Sequence, residues 1–599
     1  MQKRFLNCYA CRLCDCCLAR HLILLPTGRP TLCRSWEVLK RRLKALRKMI
    51  STAEKMVSTQ TATMHDTRIL APCVALGFFI FFLLEKSIAL GLAVVLMLGL
   101  FALVVRWPEL GTLTVLFALY SNIAVLGMKT HTILRTTVQT SQMTISTAGQ
   151  NSRVAVVMAG LCLILCVPLV YHFLVRKEKL TLDWGFYLTL GYFAVFLTSS
   201  FFARDRKIIT SEIIDFLLEG VAIYFLVVNV VREYSTLRRA IWALLLAGSF
   251  MGGLSIVQRV THTQNNNYGG LAMLGAELNF NPVGRESAHS RSDESNFHPE
   301  GATSLTLGSQ FRSAGPIGEP NRYAQVLVVL LPLAAFRFRR ERSRALRWLA
   351  LASGALICGG MMLTFSRGAM LTAVVIFGLL VYVGFIRPLQ IIVAGLALSV
   401  LVLALDPQAA LRFASLGAVK TLLAHSTAGY KEPTEGQRGV PDTSVVRRYV
   451  INVAAWHVFL DHPVLGVGPG HFAEYYSMPY GNRVGLIQQL KKYRGHNLYF
   501  ETLAETGILG LASFLAIIFV IMRALWKAWR TLQQKGSEFA DPAIAFFLCL
   551  VAYLISAIFA HLSYQRFFWL LMALCSATIH ILGRLEQKTS WELSADSLI

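Results

Sequence analysis

The sequence predicts an all-α polytopic membrane protein with about 14 transmembrane helices, within a range of about 12 to 14, and a large, mostly helical extracytoplasmic loop. Three observations support this prediction. Hydrophobic residues make up 55% of the 599 residues and charged residues only 15%, which excludes an ordinary soluble domain. Apolar segments of roughly 20 residues recur along the chain. Lysine and arginine are concentrated at alternate junctions between these segments.

The chain begins with a basic, cysteine-rich segment, residues 1–68, which we predict to be a cytoplasmic leader that is disordered or misannotated. Cys8, Cys11 and Cys14 have a spacing that suits zinc or an iron–sulfur cluster. No second ligand cluster follows them, and Met49 is one of several alternative starts. We therefore predict no metal and no other cofactor.

The apolar segments form three groups when they are measured against a hydrocarbon core of about 30 Å. We predict an N-terminal transmembrane bundle at 69–258, a second group at 322–405 and a C-terminal group at 497–583. The individual spans are predicted near 69–85, 87–105, 109–127, 154–175, 182–203, 208–231, 239–258, 322–336, 346–364, 368–386, 388–405, 505–524, 543–561 and 567–583.

The charge of the junctions predicts how the spans are oriented. Cytoplasmic junctions are enriched in lysine and arginine, and every second junction of this chain is basic. The N-terminus and the C-terminal tail, residues 584–599, are therefore predicted to be cytoplasmic. Arg204, Arg206 and Lys207 form one basic junction on the opposite side, against the trend. The net charge of +25 is explained by orientation and by anionic lipid or substrate, so we predict no nucleic-acid partner.

Two long polar segments, residues 259–321 and 406–496, then face the extracytoplasmic side. The first is rich in Asn, Ser, Gly and His and is predicted to be mostly loop. The second contains VVRRYVINVAAW, which has roughly helical spacing of its apolar residues. About 90 residues suffice for a small helical cap over the membrane but not for an independent enzyme domain.

Several arginines lie at the ends of the outer segments. Arg367 lies in the short turn TFSRG between two apolar helices, where it either snorkels to the interface or holds a phosphate group with its planar fork of donors. For Arg483, Lys491 and Lys492 in the second polar segment, the alternative to anion binding is a solvated basic face. Arg312, Arg447 and Arg494 are predicted to help bind substrate. Together they suggest a site for a lipid-linked pyrophosphate.

His496 stands where the second polar segment becomes an apolar helix. The positive end of that helix disfavours imidazolium, so the ring would stay neutral and could accept a proton. The alternative is a polar neighbour of the helix cap. Glu501, Glu505 or Asp461 could orient the ring. The next turns carry Gly507 and Gly510, three residues apart, which we predict to let another helix approach closely on one face.

These residues resemble the O-antigen ligase/polymerase superfamily of polytopic membrane enzymes. The resemblance rests on TFSRG at Arg367, on Arg448 followed by DHPVLGVGPGHF, and on His496 and Asn497 followed by Gly507 and Gly510. The segment from Arg312 to Asn321 is similar to the one that precedes the corresponding span in the family. Fourteen spans exceed the twelve usual for ligases in this family, which favours polymerase-like members.

The resemblance implies that His496, Arg448 and Arg367 are catalytic and that Asn497 belongs to the substrate site. It implies a metal-independent, inverting glycosyltransferase of the bacterial inner membrane, with an extracytoplasmic active site. The donor would be an undecaprenyl-pyrophosphate-linked glycan, and the acceptor a glycan, lipid or protein hydroxyl.

Two other functions remain open from the sequence. A protein O-oligosaccharyltransferase would use the same chemistry on a different acceptor. A transporter or flippase for lipid-linked sugar would show similar spans. Transporters, however, place polar residues near mid-span and repeat their halves, whereas the polar residues of this chain are concentrated in the outer loops.

Overall fold

The computed structural model describes residues 107–123, 148–263, 266, 268–274, 312–390, 395, 443–475, 495–560 and 565–596. These residues belong to one compact unit, 103–599. The leader, the first two predicted spans, most of the span at 388–405 and large parts of both polar segments lie outside the description. The predicted total of about 14 spans and the predicted domain boundaries therefore stay predictions.

The described residues are mostly helical, as the sequence predicts. In chain order the helices are α1 Pro108–Tyr120, α2 Ala148–Val170, α3 Trp184–Ser200, α4 Arg206–Val230, α5 Tyr234–Val260, α6 Pro320–Val328, α7 Leu331–Arg340, α8 Arg344–Met362, α9 Arg367–Tyr382, α10 Thr443–Asp461, α11 Phe472–Tyr475, α12 Leu498–Gln534, α13 Asp541–Ala557 and α14 Gln565–Asp596. Two 3₁₀ turns lie at Tyr268–Gly270 and Glu538–Ala540.

Seven helical segments in the described part are long and apolar enough to cross a membrane: Val154–Val175, Arg206–Val230, Tyr234–Val260, Arg344–Met362, Leu498–Gln534, Glu538–Ala557 and Gln565–Gln587. Two shorter apolar helices, α1 and α9, accompany them. A chain with this many apolar helices is a membrane protein.

Side-chain caps and prolines account for several helix starts. Asp183 accepts a hydrogen bond from the Phe186 amide at the start of α3, and Asp205 accepts one from the Lys207 amide at the start of α4. Glu319 caps α6 in the same way, just before Pro320. Each cap satisfies an amide that has no partner within its own helix.

The single span predicted at 322–336 is wrong in detail, because it consists of two helices. α6 ends at Val328 and α7 begins at Leu331. Pro332 has no amide hydrogen to donate to the carbonyl of Val328, and its ring clashes with a regular helical turn there. The chain therefore turns at Val329 and Leu330 before it continues.

Helix α4 contains a buried charge in an irregular turn. Residues Phe216–Ala222 adopt a π-helix, and Glu219 in this turn is only 4% exposed. A π-turn widens the helix locally. Here it accompanies tight aromatic packing, in which the ring of Phe216 contacts those of Tyr192 and Trp569.

Two hydrophobic cores hold the described helices together. The larger one runs through the bundle and includes Tyr224, Tyr323 and Trp569 among its fully buried side chains. The smaller one lies between α10 and the beginning of α12, where Ile451 and Ala454 pack with Ala504 and other residues. The smaller core belongs to the helical cap that the sequence predicts in the second polar segment.

A short antiparallel pair joins the first polar segment to the bundle. Strands β1 Met273–Leu274 and β2 Ser313–Gly315 pair with each other. The Ser313 amide donates to the Leu363 carbonyl at 3.0 Å, and its hydroxyl donates to the Ser255 hydroxyl at 2.8 Å. These contacts fix the segment that carries Arg312 beside the end of α8.

Candidate active site

The site residues are described relative to the end of the bundle at which α12 begins, which we call the His496 end. His496 is partly buried and is followed by Asn497, whose side-chain oxygen accepts hydrogen bonds from the Tyr499 amide at 2.9 Å and the Phe500 amide at 3.3 Å. Asn497 is therefore the N-cap of α12. This contact explains the asparagine after the histidine without assigning it a role in substrate binding, which stays a prediction.

The first turn of α12 folds back against the chain just before His496. Glu501 is only 6% exposed, and a Cβ atom added at Gly495 would lie 2.9 Å from the Cβ of Glu501. A larger residue at position 495 would displace either the glutamate or the backbone. The glycine thus lets the backbone that carries His496 lie close to Glu501.

Helix α12 is broken at Gly507, which has φ 65° and ψ −166°. The segment Pro463–Gly468, which we call the docking loop, fills this break with its own backbone. The carbonyls of Ala504 and Glu505 accept from the amides of Val467 at 3.1 Å and Gly468 at 2.9 Å. The docking loop thereby replaces hydrogen bonds that a continuous helix would make within itself.

The same loop also supplies hydrogen-bond acceptors for the backbone amides that follow the break. The Ile508 amide donates to the Pro463 carbonyl at 2.9 Å, and the Leu509 amide donates to the Val464 carbonyl at 3.4 Å. A Cβ atom added at Gly507 would lie 2.3 Å from the carbonyl carbon of Val464. The predicted helix-packing role of Gly507 and Gly510 is therefore wrong, because Gly507 makes room for a loop backbone. At Gly510 an added Cβ would meet Thr506 of the same helix.

The end of α3 joins this contact. The Ser199 hydroxyl lies 2.6 Å from the Leu465 carbonyl and 2.8 Å from the Glu505 carbonyl, so its proton serves both acceptors. The carboxylate of Glu505 also accepts from the Phe472 amide at 3.3 Å. Three separate parts of the chain therefore meet at the break in α12.

His471 serves this junction rather than a metal. Its Nε2 atom accepts from the Asp205 amide at 3.0 Å, and its Nδ1 atom lies 2.9 Å from the Pro469 carbonyl. An amide can only donate, so Nε2 carries no proton and Nδ1 is the protonated nitrogen. The fully buried ring is thus a neutral link between the α3–α4 junction and the chain that follows the docking loop.

The first segment of α12, residues 498–506, lies across the His496 end of the bundle. At its start, the Tyr499 hydroxyl donates to the Leu554 carbonyl in the last turns of α13 at 2.9 Å. At its finish, Glu505 contacts Ser199 in the last turn of α3. The segment therefore spans from α13 to α3, a distance of about 12 Å at about 1.5 Å per residue.

Arg367 and Arg312 lie at the same end, on either side of one tight turn. Arg367 is the first residue of α9 and lies two residues after Phe365, which has a positive φ of 51°. The Arg312 Nε atom donates to the Thr364 carbonyl at 2.8 Å, and Nη2 donates to the Asn321 side-chain oxygen at 3.0 Å. A Cβ atom added at Gly368 would lie 2.6 Å from the Phe559 ring, so α9 begins directly against the chain after α13.

Arg448 lies at the same end, on helix α10 of the helical cap. It is partly buried on α10, whose neighbouring residues Val450 and Ile451 pack onto the beginning of α12 through the smaller core. The structure thus brings the elements that carry His496, Arg448, Arg367 and Arg312 to one end of the bundle. The predicted site residues Arg447 and Arg494 lie outside the residues whose side chains are described.

Sequence reasoning missed a buried group beside Arg312. Arg322 is 4% exposed and forms an ion pair with Glu319, with 3.4 Å between Nε and the carboxylate oxygen. The same glutamate accepts a 3.0 Å hydrogen bond from Asn321. The pattern EPNR marks a helix start in the sequence, but it does not show that the arginine points into the bundle.

A second missed group lies deeper in the bundle. Arg566 is 2% exposed and donates through Nη1 to Glu219 at 2.5 Å and through Nη2 to the Asn122 side chain at 2.6 Å. Asn122 donates in turn to the Pro316 carbonyl at 2.9 Å. This buried network joins α4 and α14 to the segment that follows Arg312. Charged residues inside membrane helices are costly and commonly functional.

A cavity of about 390 Å³ opens at the opposite end of the bundle. His172, Arg176, Glu233 and Arg239 are among its lining residues. Arg176 pairs with Glu233 at 2.5 Å, and this hydrogen bond holds the pKa of the glutamate below its ordinary value. The cavity is separate from the candidate active site, because it surrounds the start of α5 rather than the start of α12.

Comparison with known proteins supports the resemblance predicted from the sequence. Residues 352–515 match the family model described as O-Antigen ligase. This region contains Arg367, Arg448, His496 and the docking loop, whereas Arg312 lies before it. The chain is also 28% identical over 138 residues to the teichuronic acid biosynthesis protein TuaE of Bacillus subtilis. That match covers 22% of this chain and 26% of the relative.

Proposed function

We propose that this membrane protein is a glycosyltransferase that transfers or polymerises glycan from an undecaprenyl-pyrophosphate carrier onto an acceptor hydroxyl, on the extracytoplasmic side of the bacterial inner membrane. One observation carries the proposal. The region that matches the O-antigen ligase family contains His496, Arg448 and Arg367, and their elements meet at one end of the bundle. Lipid-linked glycan substrates are in keeping with that family.

In the proposed reaction His496 is the general base. The ring stands immediately before the capped start of α12, where the helix dipole favours the neutral imidazole. The imidazole accepts the proton of the acceptor hydroxyl as the oxygen attacks the anomeric carbon of the donor. A new carbon–oxygen bond forms on one face while the bond to the pyrophosphate oxygen breaks on the other. The anomeric configuration is therefore inverted.

The arginines act on the leaving group. Breaking the glycosyl–phosphate bond places the electron pair on the pyrophosphate, and guanidinium groups stabilise the growing charge through paired hydrogen bonds. Arg367 and Arg448 are the proposed contacts. Arg312 is held toward the turn that precedes Arg367 by its hydrogen bonds to Thr364 and Asn321, so we assign it a supporting role. No metal is needed in this scheme.

The relative indicates what kind of product to look for. TuaE belongs to teichuronic acid biosynthesis, and a comparable role here would make this chain part of the assembly of a cell-envelope polysaccharide. Transfer to another glycan chain would make it a polymerase, and transfer to a lipid or a protein would make it a ligase. The two products differ in glycan length and in the carrier on which polymer accumulates.

The test replaces the proposed base in a deletion background. We expect His496→Asn to lower the rate of glycan transfer by about a hundredfold or more, which is the usual contribution of a general base. His262→Asn is the matched control, because His262 is exposed and has a positive φ of 53° that asparagine accepts. Glycan ladders and carrier-linked intermediates are measured for both variants at equal membrane abundance. Normal ladders from His496→Asn would refute the proposed mechanism.

A further inference from the structure

The junction between α3 and α4 carries an unusual concentration of positive charge at the His496 end. Arg204, Arg206 and Lys207 are all exposed. The carboxylate of Asp205, which lies between them, accepts a hydrogen bond from the Lys207 amide at 2.8 Å as the cap of α4. Within residues 204–207, three cations therefore stand against one carboxylate. This is the junction that goes against the charge trend of the sequence, so orientation in the membrane does not explain it.

The junction is fixed to the chain that matches the ligase family. A Cβ atom added at Gly468 would lie 2.7 Å from the Cβ of Ala203, so the docking loop and the junction are in direct contact. The Asp205 amide donates to the buried ring of His471 at 3.0 Å. The backbone that carries the three cations is therefore held in place, as a binding site requires.

One of the cations is already oriented by an aromatic ring. The guanidinium carbon of Arg204 lies 4.8 Å from the centre of the Tyr475 ring. This distance is that of a cation–π contact, which leaves the N–H groups that do not face the ring available for an anion. Tyr475 lies in α11, so the contact directs Arg204 toward the helical cap.

The cation cluster lies at a defined place relative to His496. The first segment of α12, residues 498–506, lies between His496 and the break at Gly507 and has a length of about 12 Å. The docking loop connects the far end of that segment to the junction. A short stretch of polysaccharide could span this separation, which is too long for both places to contact the same reacting bond.

We propose that Arg204, Arg206 and Lys207 form a second anion-binding subsite, which holds carboxylate or phosphate groups on the glycan while the reaction takes place near His496. The inference rests on the proposed function for the identity of the ligand, and it adds that the preferred glycan is acidic. A phospholipid headgroup offers the same chemistry from another source. The cation–π contact of Arg204 with Tyr475 in the helical cap favours the glycan.

The first experiment measures binding without catalysis. The full-length protein is reconstituted in nanodiscs of neutral lipid and titrated with an acidic oligohexuronate and with a neutral oligosaccharide of equal length. We expect the triple variant Arg204→Gln, Arg206→Gln, Lys207→Gln to bind the acidic oligomer about tenfold more weakly, since exposed charge contacts each contribute modestly. Binding of the neutral oligomer should not change, and the difference should shrink at high salt.

The matched control removes three exposed cations at the opposite end of the bundle. Lys179→Gln, Arg342→Gln, Arg344→Gln changes the net charge by the same amount. Equal losses in both triple variants, or no loss in the first, would overturn the subsite. So would a loss that appears only in nanodiscs containing anionic lipid, because it would assign the cluster to headgroups.

The second experiment separates this inference from the proposed function. Transfer is measured with carrier-linked acidic and neutral glycans, and the Arg204 triple variant should lose kcat/KM only with the acidic donor. Equal loss with both donors would overturn the preference for acidic glycan. If wild-type protein binds the oligohexuronate but transfers neither glycan, the subsite stands and the proposed function fails.

Discussion

Arg367 is the residue for which chemistry and geometry can be separated most directly. It begins α9 after a turn in which Phe365 has a positive φ, and α9 is held against Phe559 through Gly368. The position of the side chain is therefore set by the turn. What the side chain contributes depends on whether it offers a fork of donors or a single charge.

We expect Arg367→Lys to lower kcat/KM for glycan transfer by about tenfold or more, because an ammonium group does not reproduce paired hydrogen bonds to pyrophosphate. Arg387→Lys, at an exposed arginine just beyond the other end of α9, is the control and should leave transfer unchanged. The rates are compared at matched abundance in the membrane. Equal activity of the two variants would reduce Arg367 to an interfacial arginine without a role in catalysis.

For single residues, the sequence predicts where a residue lies in a helix better than which groups its side chain contacts. The HN pair before an apolar run predicts a helix start, and Asn497 is indeed the cap of α12. The burial of Arg322 and its pairing with Glu319 could not be predicted, because an arginine three residues after a glutamate is equally common on solvated helices. Burial depends on which face of α6 meets the rest of the bundle.

The break in α12 is the feature of a single element that most affects the candidate site. Gly507 has a backbone conformation that is essentially restricted to glycine. An added Cβ would also meet the docking-loop backbone at 2.3 Å, where no flexible side chain can move away.

We therefore expect Gly507→Ala to destabilise the protein by about 3 kcal/mol or more, combining backbone strain with the loss of loop docking. The measurement is the midpoint of thermal unfolding in detergent, together with protease accessibility of the cap. Gly378→Ala in α9 is the control, because an added Cβ there meets nothing within 4 Å. Alanine favours a helix over glycine, so the control should be neutral or slightly stabilising. If both variants have similar unfolding midpoints and protease accessibility, α12 can form a continuous helix through position 507.

Two sequence predictions about single elements were wrong, the helix-packing role of Gly507 and Gly510 and the single span at 322–336. Both errors have a physical cause. Glycines three residues apart suit both close helix packing and a helix break, and only the partner distinguishes them. The partner of Gly507 is a loop about 40 residues earlier, which local periodicity does not reveal. The division of span 322–336 was predictable in principle from Pro332, but a single proline can also kink a helix without ending it.

Across the whole molecule, the Glu219–Arg566 pair joins parts of the chain that are far apart in sequence. The carboxylate lies in the π-turn of α4, the guanidinium lies at the start of α14, and both are almost fully buried. Removing one member of a buried ion pair leaves the other charge buried without a partner, whereas replacing both members leaves no unpaired charge.

We expect Arg566→Met to lower stability by about 3 to 5 kcal/mol and the double variant Glu219→Gln, Arg566→Met to recover most of that loss. Arg584→Met, at an exposed arginine further along α14, serves as the control. Thermal unfolding in detergent is measured for all three. If the double variant is as unstable as the single one, the effect comes from lost packing around Asn122 and Phe567 rather than from the uncompensated charge.

The class of the whole molecule was the most predictable property, because composition and span length are averages over many residues. The all-α membrane class is confirmed for the described residues, and the family resemblance is confirmed over 352–515. The spatial grouping of Arg312, Arg367 and His496 could not be derived from periodicity. It depends on contacts such as Tyr499 with Leu554 and Gly368 with Phe559, which join helices by their ends.

The docking loop has a consequence for how this protein can diversify. Its attachment to α12 is made by main-chain amides and carbonyls, and the side chain of Val464 is 55% exposed. Apart from the buried Val467 and glycines such as Gly466, Gly468 and Gly507, the attachment therefore places little demand on which side chains the loop carries. Substitutions at exposed positions such as Val464 can alter the surface of the His496 end while the architecture beneath it stays the same.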